Sequence, residues 1–250
     1  MSELAETAPA APVEAPLSEP QRIIDTFVAP VKTFTDIRRK ATFWGPLIIM
    51  ILVGIGYAFT VQQKIGWERV FENNINQTPA KAEKIESAPN ADTIKSVSAK
   101  ITAAVTYGYF VVALIITALY ALLIWATVNF GFGGTSKYGQ IYAVSFYSGL
   151  VMNIKFLLAI IAIFAGLAPD SFLINNPVGT NIGYYLSTDV PLWLRSLCMH
   201  LDIFEIWSLL LTVLGVSVVA RVSRGKAAAV VVGWWLILVL VGVGAAAAQS

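Results

Sequence analysis

Five long hydrophobic runs crowd this chain, and the cleanest, Phe43 to Gln62, carries no ionised group at all. At about 1.5 Å of rise per residue, a helix of that length covers the roughly 30 Å hydrocarbon layer of a bilayer. The chain is therefore expected to work from within a membrane, as an all-α, polytopic transmembrane helical bundle with five spans. No segment of strand period competes with that reading.

Composition agrees. The chain is 57% hydrophobic and 13% charged, whereas soluble domains average about 25% charged. It could not cover a water-facing surface. A formal charge of +2 with scattered basic residues argues against a nucleic-acid binder. Cys198 is the only cysteine and His200 the only histidine. An intrachain disulfide is impossible, and a metal site would have to rest mainly on carboxylates.

Residues 1–21 hold four prolines and four glutamates but no Lys or Arg. A signal peptide needs a basic start and an apolar stretch, so this segment reads instead as a disordered Ala/Pro/Glu-rich tail. From 22 to 41, Ile23, Ile24, Phe27, Val31, Phe34 and Ile37 recur mostly at spacings of three and four. That is one helical face, and Pro30 should divide it into two short helices. Asp25, Lys32, Asp36, Arg38 and Arg39 are assigned to the opposite face. Two readings stay open here: helices lying at the headgroup boundary, or helices packed under the bundle.

The membrane domain is expected to fill 42–250. Its spans are predicted at about Phe43–Gln62, Ala104–Phe130, Ile141–Leu167, Met199–Ala220 and Ala227–Ala248. Between the first two, an external loop (64–103) carries two helical patterns, Trp67, Val70, Phe71 and Ile94, Val97, Ile101, separated by Pro79 and Pro89. It should form a helical hairpin over the membrane surface. Pro191 to Cys198 reads as a short interfacial helix anchored by Trp193 and Arg195. The pairs Gly242 with Ala246 and Gly244 with Ala248 would allow close helix approach.

Orientation follows the basic residues. Arg38, Arg39 and Lys40, then Lys137, then Arg221, Arg224 and Lys226 all fall on one side of a five-span chain. The longer loop on the other side carries six basic residues of its own, which weakens the contrast. The dense clusters at membrane ends nevertheless favour a cytoplasmic N-terminus and an external C-terminus in the cell (inner) membrane.

Charges inside spans are the first candidates for function, since each costs about 2.5–3.5 kcal/mol at a helix centre on insertion scales. Lys155 sits deep in the third predicted span, and Asp202 and Glu205 sit three apart in the fourth. Because the two helices run in opposite directions, an ion pair or triad of Lys155, Asp202 and Glu205 would neutralise the charges locally. The cluster reads either as a polar transport site or as a clamp that fixes helix register. His200 with Asp202 and Glu205 makes a weak metal set, so no metal or cofactor is expected. The turn Gly131 to Lys137 resembles a phosphate loop only superficially, lacking the Gly-Lys-Ser/Thr ending. Its glycines are explained by a helix C-cap and tight turn. Hydrolase and metalloprotease motifs are missing. Ser145 and Ser148 read as interhelical hydrogen-bonding residues.

The order of several short motifs resembles the Yip family of five-span membrane proteins, in particular its bacterial branch. These are the segment Phe27 to Ile37, the turn Phe132 to Gln140, the loop Asn176-Pro-Val-Gly-Thr-Asn181, and Leu201-Asp202-Ile-Phe204-Glu-Ile-Trp207 followed by Arg221 to Lys226. The resemblance implies a helical bundle with a cytosolic N-terminus and no catalytic or cofactor residues. Asp202, Phe204 and Trp207 would be its signature positions, structural first. Eukaryotic relatives partner Ypt/Rab GTPases, a role that does not transfer to the bacterial branch. The expected function is a non-enzymatic scaffold or interaction protein among membrane components. Its expected partners are the lipid bilayer and membrane proteins not named by the sequence, with self-association left open. A small transporter or channel subunit is the alternative.

Overall fold

The computed structural model describes residues 15–187 and 189–248. Most of the predicted tail, 1–14, lies outside the described residues. Its last part does not continue as tail, because the first helix α1 already begins at Glu19 (Glu19–Val28). The Ser18 side chain accepts from the Gln21 N–H and a proline occupies the first turn, so both start signals are local. Ala29 breaks the helix, and Pro30 opens α2 (Pro30–Arg39) as the sequence predicts.

The remaining elements follow in chain order. Helix α3 (Trp44–Lys64) is the first apolar helix. After it come α4 (Trp67–Ile75), α5 (Pro79–Glu86) and α6 (Ala91–Tyr107). Helix α7 (Tyr109–Ala126) runs on through one wide turn to Gly131, and α8 (Tyr138–Phe164) returns. After a long loop come α9 (Leu192–Met199), α10 (Ile203–Ala220) and α11 (Arg224–Ala247). Five of these are long and apolar enough to cross a bilayer: α3, α7 with its extension, α8, α10 and α11. The chain is an all-α, multi-pass helical bundle.

Helix α8 is the centre. Ile141, Val144, Tyr147 and Val151 are completely buried, and their spacing of three and four puts them on one stripe. They pack among α3, α7 and α10 in a core that also takes Phe34 and Ile37 from α2 and Phe204 from α10. A second cluster joins Tyr57 and Val61 of α3, Val70 of α4, Ala159 and Ile163 of α8, and Phe172 of the following loop. It ties the outer helices to the bundle. Leu236, Ile237, Leu240 and Val241 of α11 stay exposed. An apolar exposed face is what a helix presents to acyl chains.

Helices α1 and α2 form a hairpin packed along α10 and α8. Phe34 seats against Gly215, where an added Cβ would lie 3.1 Å from the ring. Phe27 meets the Trp207 ring edge-on at 5.9 Å. Ile24, Val28 and Val31 on the outer side of the hairpin are exposed. The segment thus has a buried face within the bundle and an apolar face outside it. Asp36, assigned by spacing to the polar face, is instead buried.

The predicted helical hairpin within 64–103 is present, with α4 packed on α6. The stretch between Pro79 and Pro89 adds α5, which spacing did not reveal. Helix α9 occupies the expected place of the interfacial helix. Arg195 is not a headgroup anchor, however: it is buried, donating to Gln77 Oε1 at 2.7 Å and to the Ser187 carbonyl at 2.8 Å. Gly242 and Gly244 likewise have nothing near them that a Cβ would touch. Among the described residues, no helix is closely approached at these two glycines.

Candidate functional site

The carboxylate of Asp202 is where the predicted polar cluster and the loop motif meet. Asp202 caps α10 rather than lying inside it: its Oδ1 accepts from the backbone N–H of Phe204 (2.9 Å) and Glu205 (3.3 Å). Its other oxygen accepts from Lys155 Nζ at 2.7 Å, Thr180 Oγ1 at 2.5 Å and Asn181 Nδ2 at 3.4 Å. Asn181 and Asn176 exchange amide bonds, and the Ile203 N–H donates to the Thr180 carbonyl at 3.2 Å. Five donors therefore converge on one fully buried carboxylate. Burial by itself raises the Asp202 carboxyl, but the bonds from Lys155 and Thr180 and the lysine charge outweigh it and hold it below the usual carboxylate range.

Local sequence explains each partner. Asp is a preferred N-cap because its short side chain reaches the orphan N–H groups of a first helical turn. Lys155 is placed by α8, antiparallel to α10, as the opposite run of the two spans predicts. At Gly179 the turn folds under the Tyr184 and Tyr185 rings, which an added Cβ would meet.

Glu205 does not join this pair. Its Oε1 accepts from Trp235 Nε1 of α11 at 2.6 Å and lies 3.0 Å from His200 Nδ1. The expected triad is thus two neighbouring pairs, Lys155 with Asp202 and His200 with Glu205. The bond to Glu205 raises the His200 imidazole against the opposing effect of burial. Among the described residues, no group of three His, Cys, Asp or Glu side chains could hold a metal ion. Phe204 is buried in the core, while Trp207 is partly exposed on α10 and caps Phe27.

A second polar cluster, at the opposite end of the bundle, escaped the sequence reading. Arg22 of α1 is 2% exposed and donates to Asp36 of α2 and to Thr42, both at 2.5 Å. Glu19 accepts from Thr42 at 2.6 Å and from Tyr147 of α8 at 2.6 Å. Burial pushes the Glu19 carboxyl up, yet these bonds and the charges of Arg22 and Lys40 leave it below its ordinary value. Thr26 and Thr33 both donate to the Arg22 carbonyl. The signal available was Arg22 and Asp36 flanking a proline break, which a hairpin brings opposite each other.

The glycine turn after α7 is structural. Gly133 takes φ +72°, and Gly134 sits where a Cβ would meet the Val128 carbonyl at 3.0 Å and Ala220 at 3.3 Å. The Thr135 N–H donates to the Ala220 carbonyl, which docks this turn on the end of α10. Ser136 is held by Asn129, and Gln140 donates to the Arg38 carbonyl at 2.8 Å. Ser145 bonds within its own helix, to the Ile141 carbonyl, and the buried Ser148 hydroxyl has no partner. Neither serine makes the interhelical bond expected of it.

Each motif that carries the family resemblance is thus a contact between elements. The segment 27–37 packs on α10, the turn 132–140 joins α10 and α2, and the loop 176–181 closes on Asp202. No curated protein and no solved structure matches the chain significantly. The family model for the Yip1 domain matches residues 24–246, nearly the whole chain, and the protein belongs to that family of multi-pass membrane proteins.

Proposed function

We propose that this protein is a non-enzymatic scaffold of the Yip type, which binds and organises other proteins in the cell's inner membrane. The single observation that supports this most is how its charged groups within and at the ends of the spans are used. Lys155, Asp202 and Glu205 each spend their hydrogen bonds on neighbouring elements of the same chain, as a register clamp does. The amphipathic hairpin 22–41 lies on the cytoplasmic side, and the helical loop 64–103 lies outside.

Crosslinking in intact cells, followed by mass spectrometry of captured neighbours, tests the proposal. A reproducible set of membrane-protein partners, lost when the exposed apolar residues Ile24, Val28 and Val31 are replaced by serine, is the expected result. Recovery of lipid alone would count against a scaffold.

The alternative, a small transporter using Lys155, Asp202 and Glu205, draws on the insertion cost of those charges. A transport path would have them line a cavity, and they line neither the cavity of about 570 Å³ nor that of about 240 Å³. Solute flux in liposomes that Glu205→Gln abolishes would reverse the preference.

A further inference from the structure

A cavity between α3, α6 and α8, beneath α4 and α5, is lined by none of the charged residues of either cluster. Its volume is about 570 Å³, within the range of roughly 300–1,000 Å³ that holds small ligands. Three features of its wall identify an occupant. First, Ile101, Val105 and Tyr109 line it and are about half-exposed. One wall of the cavity is therefore apolar and runs on into the start of α7, a helix long and apolar enough to cross a bilayer. Met50 and Phe156 continue an apolar lining inward, and Gly54 leaves room, since a Cβ there would touch nothing within 4 Å.

Second, Tyr57 lines the cavity, is 3% exposed, and its hydroxyl has no hydrogen-bond partner. Buried tyrosine hydroxyls normally find a partner. Asn74, Thr102 and Thr106 donate to carbonyls of their own helices, and none of their oxygens accepts from the Tyr57 hydroxyl. An incoming oxygen acceptor would satisfy it once the side chain turns its covered hydroxyl toward the cavity. Third, Lys81 is the one charged side chain among the lining residues, and it belongs to the external loop, with Thr78 and Asn175 beside it. The lining therefore carries one cation and no carboxylate.

We propose that this cavity binds the acyl chain of an anionic lipid. The chain lies against Met50, Val105 and Phe156, an oxygen near the head accepts from Tyr57, and the anionic head rests by Lys81. A free fatty acid and a phosphatidylglycerol share this chemistry. This site is independent of the scaffold role, and its failure would leave that role untouched.

The test uses the full-length protein in phosphatidylcholine nanodiscs with three photoactivatable probes: a C16 fatty acid, a phosphatidylglycerol and an uncharged C16 alcohol. Labelled positions are read by peptide mass spectrometry. At least one anionic probe should label peptides covering Met50–Tyr57 and Ile101–Tyr109, and which of the two does so identifies the source. Gly54→Phe, which fills the cavity, should reduce this labelling at least tenfold, and Lys81→Glu severalfold. Labelling of Leu236–Val241 on the open face of α11 should not change. Val105→Trp fills the cavity from the other side and serves if Gly54→Phe does not fold. Labelling that ignores the filling variants, or that is as strong with the alcohol and indifferent to Lys81→Glu, would overturn the proposal.

Discussion

Asp202 does three jobs with two oxygens: it caps α10, neutralises Lys155 and holds the loop 176–181. Removing one partner of a buried ion pair leaves the other charged and unsatisfied, which costs about 3–5 kcal/mol. Asp202→Ala should therefore destabilise the protein by about that amount in detergent unfolding. Lys155→Met should cost less, because the carboxylate keeps its four other donors. Lys155→Met combined with Asp202→Ala should be less destabilised than the sum of the singles, the signature of coupled residues. Strict additivity would mean that the two charges do not sense each other. The pair was legible in sequence because antiparallel neighbours bring Lys155 toward the start of α10. Glu205 was not, because the argument placed Asp202 within a helix, where a spacing of three shares a face. As a cap, Asp202 turns its side chain back along the chain end, and Glu205 points to Trp235 instead.

Among the elements, the five apolar helices were readable to within a few residues, since hydropathy alone carries them. The placement of α1 and α2 was not. Their apolar face is plain, but its receptor is built from Val144 and Gly215, more than a hundred residues downstream. Helical spacing could not tell a lipid surface from that groove, and it left Asp36 on the wrong side. Gly215 is the position that decides the docking: an added Cβ would lie 2.5 Å from Val144 Cγ1 and 3.1 Å from Phe34. Overpacking of this kind typically costs about 1–3 kcal/mol. Gly215→Ala should lower stability by that amount and expose the hairpin to limited proteolysis near Lys32. Val144→Ala should cost less in the Gly215→Ala background than alone, and an equal cost in both would place the clash elsewhere.

For the whole molecule, an odd number of spans puts α3's start and α11's end on opposite faces. The proposed orientation predicts a labelling pattern for a membrane-impermeant maleimide in the Cys198→Ala background. Ser87→Cys, in the external loop, should react in intact spheroplasts. Gly225→Cys, at the turn between α10 and α11, should react only after permeabilisation. Gly225 has open space around it, so the substitution is expected to be silent structurally. The reverse pattern would invert the topology and move the lipid cavity to the inner leaflet.

The seat of Phe34 on Gly215 also sets a timetable for biogenesis. A ribosome adding about 5–20 residues per second needs on the order of ten to forty seconds to travel from one to the other. Throughout that interval the nascent hairpin has no groove to enter, so its apolar side must rest on the bilayer or on a holding factor until the fourth span arrives.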